Sequence, residues 1–208
     1  MNMEIKYTPD NVRYKKMLNK ELKDNFTVQK LFTSDAIKLV YTDLDRAVVG
    51  SIVPVKKALK LETAKELASD YFAKRREIGI INIGAKGSVT VDGEKYELNN
   101  KDGLYIGRES KDIIFDSDNS ESPAQYYLLS YPAHKNYPTK LIKKSEAVIA
   151  EAGSEMESNK RKIIKYILPG KVESCQLVMG LTMLAEGNVW NTMAPHTHER
   201  RTEIYMYF

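Results

Sequence analysis

The sequence predicts a mainly β protein, built as a sandwich or barrel with a few short helices. Short runs rich in β-branched and aromatic residues recur along most of the chain, and Gly-, Asn- and Asp-containing turn signals separate them. Helix-like spacing of apolar residues is confined to two short stretches. The length of 208 residues allows one large domain or two small ones with a substantial core.

Two stretches predict helices. Residues 12–24 carry apolar side chains at spacings of three to five, with Lys and Glu between them, which is typical of a short amphipathic helix. Residues 61–70 have Thr63 as a candidate N-cap and Glu66 three residues later, the pattern of a capping box.

The remaining runs predict strands. FTVQKLF, IKLVYT and AVVGSIV lie within residues 26–54, where Asp43 and Asp45 fall in a turn. INIGAKGSVTVDGEKYEL contains two strands and then the Asp92-Gly93 hairpin signal, after which LYIG, IIF and QYYLLSY continue the set. Residues 132–161 are polar and predict a connection with one helical turn at most. Strands resume with KIIKYIL, ESCQLVMGLTML, the HTH run and EIYMYF.

Composition excludes several classes of function. Hydrophobic residues make up 42% and charged residues 29%, as in soluble globular proteins, and the net charge is only +4. No basic block or nucleic-acid motif occurs, so nucleic acid is not an expected partner. No run has the apolar length of a membrane helix, and residues 1–16 lack the apolar core of a signal peptide. The lone Cys175, expected to be a buried strand thiol, fits a reducing compartment, so we expect a cytoplasmic protein.

The clearest candidate site is His196-Thr197-His198 with Glu203 after four further residues. On a strand, residues two apart point to the same face, so both imidazoles can reach one point. A short turn would bring the Glu203 carboxylate to the same point. Two imidazoles and a carboxylate suit Zn, Fe, Ni or Mn and leave an open side for substrate. The alternative is an ordinary ion pair between Glu203 and a neighbouring arginine.

The alternation after this motif favours the metal site. Glu203, Tyr205 and Tyr207 share one strand face, whereas the intervening residues 204, 206 and 208 are apolar. A strand with one polar and one apolar face is typical of a strand lining a cavity inside a barrel.

The H-x-H-x4-E spacing resembles the first motif of the cupin superfamily, although Gly187 lies farther upstream than is usual there. The longer string MGLTMLAEGNVWNTMAPHTHERRTEIYMYF resembles the 5-keto-4-deoxyuronate isomerase family of pectin breakdown. VYTDLDRAVVGSIVP, RREIGIINIGAKGSVTVDGEKYEL, DGLYIGRESKDIIF, PAHKNYPTK and NKRKIIKYILP extend the resemblance over most of the chain.

A weak internal sequence repeat, called the internal echo below, supports a tandem architecture. Residues 74–78 resemble residues 199–204 with one residue removed, but Phe72 and Ala73 stand where the histidines would fall. The resemblance then implies two cupin-like sandwiches, the second incomplete, with these boundaries: 1–25 N-terminal helical segment, 26–135 first domain without a metal site, 136–160 linker, and 161–208 first part of the metal-binding domain. The family takes a further histidine from a second motif, so we expect that ligand beyond residue 208. We also expect the chain to be a C-terminally truncated form, inactive by itself, of a longer parent enzyme.

The resemblance implies a ketol isomerisation that converts 5-dehydro-4-deoxy-D-glucuronate to 3-deoxy-D-glycero-2,5-hexodiulosonate. It implies one divalent metal, for which we expect Zn, held by His196, His198 and Glu203, and a homo-oligomer. A metal bound to adjacent carbonyl and hydroxyl oxygens acidifies the C–H between them, while a base that the sequence does not identify moves the proton. The candidate substrate-binding residues are Arg161, Lys165, Arg200, Arg201, Tyr205 and Tyr207.

Two other functions remain open at this stage. Two histidines and one carboxylate also serve non-haem Fe(II) oxygenases, which oxygen uptake with Fe and a substrate would reveal. A cupin can also be a non-catalytic sensor of sugar acids, for which a fused DNA-binding segment would be expected, and the sequence contains none.

Overall fold

A computed structural model describes residues 3–192, 196–199 and 201–208. Fourteen strands in the described residues form three sheets, with one α-helix and several 3-10 turns. The mainly β class with few short helices is therefore confirmed. The strands are β1 Glu4–Lys6, β2 Ala36–Thr42, β3 Val48–Val53, β4 Leu59–Lys60, β5 Arg76–Asn82, β6 Gly87–Val91, β7 Glu94–Leu98, β8 Gly103–Ile106, β9 Ile113–Ser117, β10 Tyr126–Pro132, β11 Lys140–Ile142, β12 Val148–Ala152, β13 Arg161–Ile167 and β14 Met179–Leu184.

A seven-stranded sheet lies at the centre, in the order β1-β2-β3-β10-β5-β8-β11. One face packs against a four-stranded sheet of order β4-β9-β6-β7, and their apolar side chains form the first core. Alternate residues of β5 and β10, such as Ile78, Ile80 and Leu128, enter this core because successive strand side chains point to opposite faces.

The other face of the central sheet is also covered. Ile81, Tyr127 and Leu129 from β5 and β10 pack with Ile164 and Leu181 of the three-stranded sheet β12-β13-β14 in a second core. Every residue of β5 is consequently buried. The central sheet therefore lies between the four-stranded sheet and the three-stranded sheet, whose last strand comes shortly before the candidate metal ligands in the sequence.

The predicted helices are shorter than their sequence patterns. Instead of one helix over 12–24, a 3-10 turn at Tyr14–Lys16 precedes helix α1 at Asn19–Phe26. The Glu21 carboxylate accepts a hydrogen bond from the Leu18 N–H at 2.8 Å and so begins the helix at that point. Over 61–70 only the 3-10 turn Lys65–Leu67 forms, and the Thr63 hydroxyl makes no N-cap bond to it.

Several strand predictions are also corrected. FTVQKLF is not a strand, and its Leu31 and Phe32 pack from a loop against the second core. The polar stretch 136–160 contains β11 and β12 besides a 3-10 turn, although it was predicted to be a connection. Cys175 is half-buried in the loop before β14 rather than in a strand. The described residues of the HTH and EIYMYF runs form no strand.

The hairpin of β6 and β7 is confirmed at Asp92-Gly93, where both residues have positive φ as a two-residue turn of this kind requires. Asp43 and Asp45 lie in or beside the turn Leu44–Arg46, as predicted. The division into four segments stays a prediction. Among the described residues, no helix combines the length and apolar character needed to cross a membrane.

Candidate metal centre and adjoining cavity

The three side chains predicted as metal ligands converge, although no strand carries them. The Nε2 atoms of His196 and His198 are 3.2 Å apart, and His198 Nε2 lies 3.1 Å from Glu203 Oε1. The imidazole rings meet edge to face with centroids 4.8 Å apart. Backbone alternation along a strand is therefore not what brings these donor atoms together.

The donor set fits a divalent transition metal in kind, and two of the separations between its donor atoms are close to those of such a site. Donor atoms about 2.0 to 2.1 Å from a tetrahedral Zn are about 3.3 Å from one another, close to the two separations just given. As placed, however, the described residues contain no group of three or more His, Cys, Asp or Glu side chains that could hold a metal ion. The carboxylate of Glu203 is instead engaged by a nearby arginine.

That arginine is Arg201. Its Nη2 donates to Glu203 Oε1 at 2.8 Å and lies 3.3 Å from His198 Nε2, while its Nε donates to the same carboxylate oxygen at 3.2 Å. A cationic group thus lies against two of the three candidate ligands. The ion pair of Glu203 with a neighbouring arginine, the alternative to a metal site, is present beside a donor set that also suits a metal.

Glu203 is ionised in this setting. Burial raises the pKa of Glu203, but hydrogen bonds from Arg201 and Tyr205 and the charge of His198 outweigh burial, so the net pKa is lowered. The Tyr205 hydroxyl donates to Glu203 Oε2 at 3.2 Å, and burial raises the pKa of Tyr205. Tyr205 is therefore a hydrogen-bond donor here and not a base.

A cavity of about 560 Å³ adjoins Glu203. It lies between the second face of the central sheet, the loop before β14 and the segment after Arg201. Asp45 anchors that last segment, because its Oδ2 accepts a hydrogen bond from the Thr202 N–H at 3.1 Å. The polar or ionisable residues of the lining are Asp45, Tyr131, Ser174, Cys175, Gln176, Arg201, Thr202, Glu203 and Tyr205.

The loop wall of the cavity is held by Glu77, a residue of β5 with no exposed surface. Its Oε2 accepts hydrogen bonds from the Cys175 N–H at 2.7 Å and the Tyr105 hydroxyl at 2.9 Å. Its Oε1 accepts from the N–H groups of Gln176 and Leu177 at 2.7 and 2.8 Å. Burial, reinforced by the Glu77 carboxylate, raises the pKa of Tyr105, which keeps the phenol a donor.

The other predicted substrate residues are scattered. Arg161 and Lys165 lie on β13 and are not in the lining of this cavity, and the Arg161 guanidinium donates to the Asn159 carbonyl. Tyr207 is mostly exposed and stacks on Tyr205 with ring centroids 6.4 Å apart. Arg200 lies outside the described residues. Arg201 and Tyr205 are thus the two candidates that border both Glu203 and the cavity.

Sequence reasoning missed the contributions of Asp45, Glu77 and the loop 174–177. Asp45 was identified only as a turn residue, and Glu77 only as part of the internal echo. Their partners are about 100 or more residues away along the chain, so no local pattern could reveal them. The one signal in the sequence is a glutamate directly before the apolar run 78–81, where a charged side chain is rarely buried without partners.

The chain is similar to known proteins over almost its whole length. The model of the KduI/IolB family matches residues 27–207. A 4-deoxy-L-threo-5-hexosulose-uronate ketol-isomerase from Lachnoclostridium phytofermentans is 52% identical over 208 residues, covering all of this chain and 75% of the relative. One from Caldicellulosiruptor bescii is 47% identical over 206 residues, covering 99% of this chain and 75% of the relative.

A solved structure of an IolB-like protein from Salmonella typhimurium is more distant. It is 11% identical, with a TM-score of 0.48, and the match covers 62% of this chain and 47% of the other. That likeness adds nothing to the argument. The family of this chain is decided by the family model, which matches residues 27–207, and by the two relatives that are 52% and 47% identical in sequence. This chain therefore belongs to the KduI/IolB family.

Proposed function

We propose that the protein is a metal-dependent ketol-isomerase that converts 5-dehydro-4-deoxy-D-glucuronate to 3-deoxy-D-glycero-2,5-hexodiulosonate. The observation that carries this proposal is the 52% identity, over all 208 residues, with a relative that bears the ketol-isomerase name. The isomerase class follows from the family. The substrate is the one that the relatives' name describes.

The proposed metal ligands are His196, His198 and Glu203. Their support is the chemistry of the donor set and two donor separations close to those of a Zn site, 3.2 Å between the two imidazole Nε2 atoms and 3.1 Å from His198 Nε2 to Glu203 Oε1. A bound divalent metal would supply a Lewis acid that polarises the substrate carbonyl and acidifies the neighbouring C–H. Zn is the proposed metal because its usual ligands are imidazole and carboxylate groups, which Fe and Mn also accept.

The remaining work falls to the residues that line the cavity. The Arg201 guanidinium donates to the Glu203 carboxylate, and a guanidinium can bind a carboxylate through two parallel N–H bonds. We therefore assign it to the carboxylate of the uronate. Tyr205 donates to Glu203 and so orients that carboxylate, while the volume of about 560 Å³ is in the range of small-molecule sites.

The proposal is tested with the purified protein that carries this sequence. Chelation of the metal should abolish turnover of the uronate, and Zn should restore it. His198→Ala should remove both bound metal and turnover, whereas Arg201→Gln should keep the metal and raise KM. Full turnover by metal-free protein would contradict the proposed chemistry, and no turnover by metal-loaded protein would contradict the proposed substrate.

Two further statements belong to the proposal. We infer a cytoplasmic location, supported by the single cysteine, which fits a reducing compartment. We also infer a homo-oligomer, as the family resemblance implied. Cell fractionation and light scattering of the purified protein test these two statements, and a monomer in solution would contradict the second.

A further inference from the structure

The contact between Glu77 and the loop 174–177 is an unusual feature of the molecule. Three successive backbone N–H groups, from Cys175 to Leu177, converge on one carboxylate, which each bonds at 2.7 or 2.8 Å. Successive N–H groups that point into one concavity form an anion-binding site. Here the anion is supplied by the protein itself, from a strand of the first sandwich.

The hydrogen bonding requires a carboxylate. Each oxygen of Glu77 accepts two hydrogen bonds, and the N–H groups that supply three of them can only donate. Glutamine would place an NH2 group against at least one of these donors. Aspartate would be shorter by one methylene. Hydrogen bonds to a charged acceptor are about twice as strong as those between neutral groups, so this contact holds the loop strongly.

The loop that Glu77 holds forms a wall of the cavity beside Glu203. Ser174, Cys175 and Gln176 line the cavity, while Leu177 is buried in the second core. The loop closes on itself through the Ser174 hydroxyl, which donates to the Leu177 carbonyl at 2.7 Å. Releasing Glu77 would therefore free a polar wall of the cavity without touching the candidate metal ligands.

We propose that Glu77 is a positioning residue of the candidate active site, which fixes the loop 174–177 as the wall against which the uronate binds. The part of this inference that concerns the uronate rests on the function proposed above. The loop-holding part rests only on the hydrogen bonds. Glu77 therefore acts on substrate binding through the loop and has no role in holding the metal.

The test compares Glu77→Gln with Tyr126→Phe, which removes a buried phenol that donates to the Asp116 carbonyl at 2.7 Å, away from the loop. Cys175 is the only cysteine, so its rate of labelling by a thiol reagent reports loop opening. Glu77→Gln should speed labelling by about tenfold to a hundredfold, and Tyr126→Phe should not. Tyr105→Phe removes one hydrogen bond to Glu77 but keeps the three N–H bonds, so it should increase the labelling rate less than Glu77→Gln does. This variant replaces Glu77→Gln in the test if Glu77→Gln does not fold.

The second measurement is kinetic. Glu77→Gln should raise KM for the uronate by about three- to tenfold, with metal content unchanged and a much smaller change in kcat. Unchanged labelling would overturn the loop-holding role, and faster labelling with unchanged KM would overturn the positioning role. Metal loss in a folded Glu77→Gln variant would also overturn it. If the unmodified protein has no isomerase activity, the proposed function fails, while labelling still decides whether Glu77 holds the loop.

Discussion

Arg201 and His198 should respond oppositely to substitution when metal binding is measured. Both side chains contact the Glu203 carboxylate, at 2.8 and 3.1 Å. His198 is proposed as a ligand, whereas the Arg201 guanidinium competes for Glu203. His198→Ala should therefore weaken Zn binding, and Arg201→Gln should leave it equal or stronger.

The structure sets the size of each effect. The Arg201–Glu203 pair is about a third exposed on both sides, and such pairs contribute about 0.2 to 1 kcal/mol. Removing the competitor should therefore tighten Zn binding by no more than about fivefold. Loss of a residue that only orients a ligand costs about 10- to 100-fold in metal affinity, so loss of the ligand His198 should cost more.

The assay is competition for Zn with a chromophoric chelator, followed for each variant at pH 7. Lys165→Gln is the matched control, because it removes one positive charge from β13 without bordering the cavity. It should leave Zn affinity close to that of the unmodified protein. A loss of Zn in Arg201→Gln as large as that in His198→Ala would refute the reasoning, and so would unchanged Zn binding in His198→Ala.

Two predictions concern stability. Gly79→Ala would place a Cβ 2.7 Å from Met179 Sδ and 2.8 Å from Leu177 Cδ2, so this overpacking should lower the free energy of unfolding in urea by about 1 to 3 kcal/mol. A change near zero would contradict the close approach of the two layers at β5. Burial, with the Asp45 charge, raises the pKa of Tyr131 to about 12, whereas an unfolded tyrosine titrates near 10. The folded state thus keeps this proton longer, and that stabilisation, present below pH 10, is lost as pH rises towards 12. Tyr131→Phe should reduce the alkaline loss of stability by up to about 2 to 3 kcal/mol, and equal losses in both proteins would contradict the shift.

The strands of the first sandwich could be predicted because their signals are local. Alternating apolar residues and the Asp92-Gly93 turn specify the hairpin of β6 and β7 without any distant partner. FTVQKLF is the opposite case: it has strand-like composition but pairs with no strand in the part of the chain that the structure describes. Its Leu31 and Phe32 are nevertheless partly buried against the second core. The apolar residues of this run therefore predict correctly that its side chains pack inward, but not that the backbone forms a strand.

The polar stretch 136–160 was misread for a related reason. β12 is a five-residue run, VIAEA, at the edge of the three-stranded sheet, with Val148, Ile149 and Glu151 exposed. It is short and surrounded by polar residues, so it gives only a weak strand signal in the sequence. Only the pairing with β13, which is non-local information, distinguishes β12 from a connection.

The candidate ligands could be identified from spacing, but their neighbours could not. His196, His198 and Glu203 stand close together in sequence, so a motif can reveal them. The contact of Asp45 with Thr202 spans 157 residues, and that of Glu77 with Leu177 spans 100. Such pairs follow from how the layers stack, which a single sequence does not encode in any local pattern.

The internal echo acquires a physical meaning from these contacts. Glu77 stands in the first copy where Glu203 stands in the second, and Phe72 and Ala73 replace the histidines that would accompany it. Without imidazole partners, a buried carboxylate needs other groups to satisfy its charge. The N–H groups of the loop 174–177 and the Tyr105 hydroxyl meet that need. At the matching position of the predicted repeat, Glu77 thus connects the first sandwich to a wall of the cavity, whereas Glu203 lies beside His198 and Arg201.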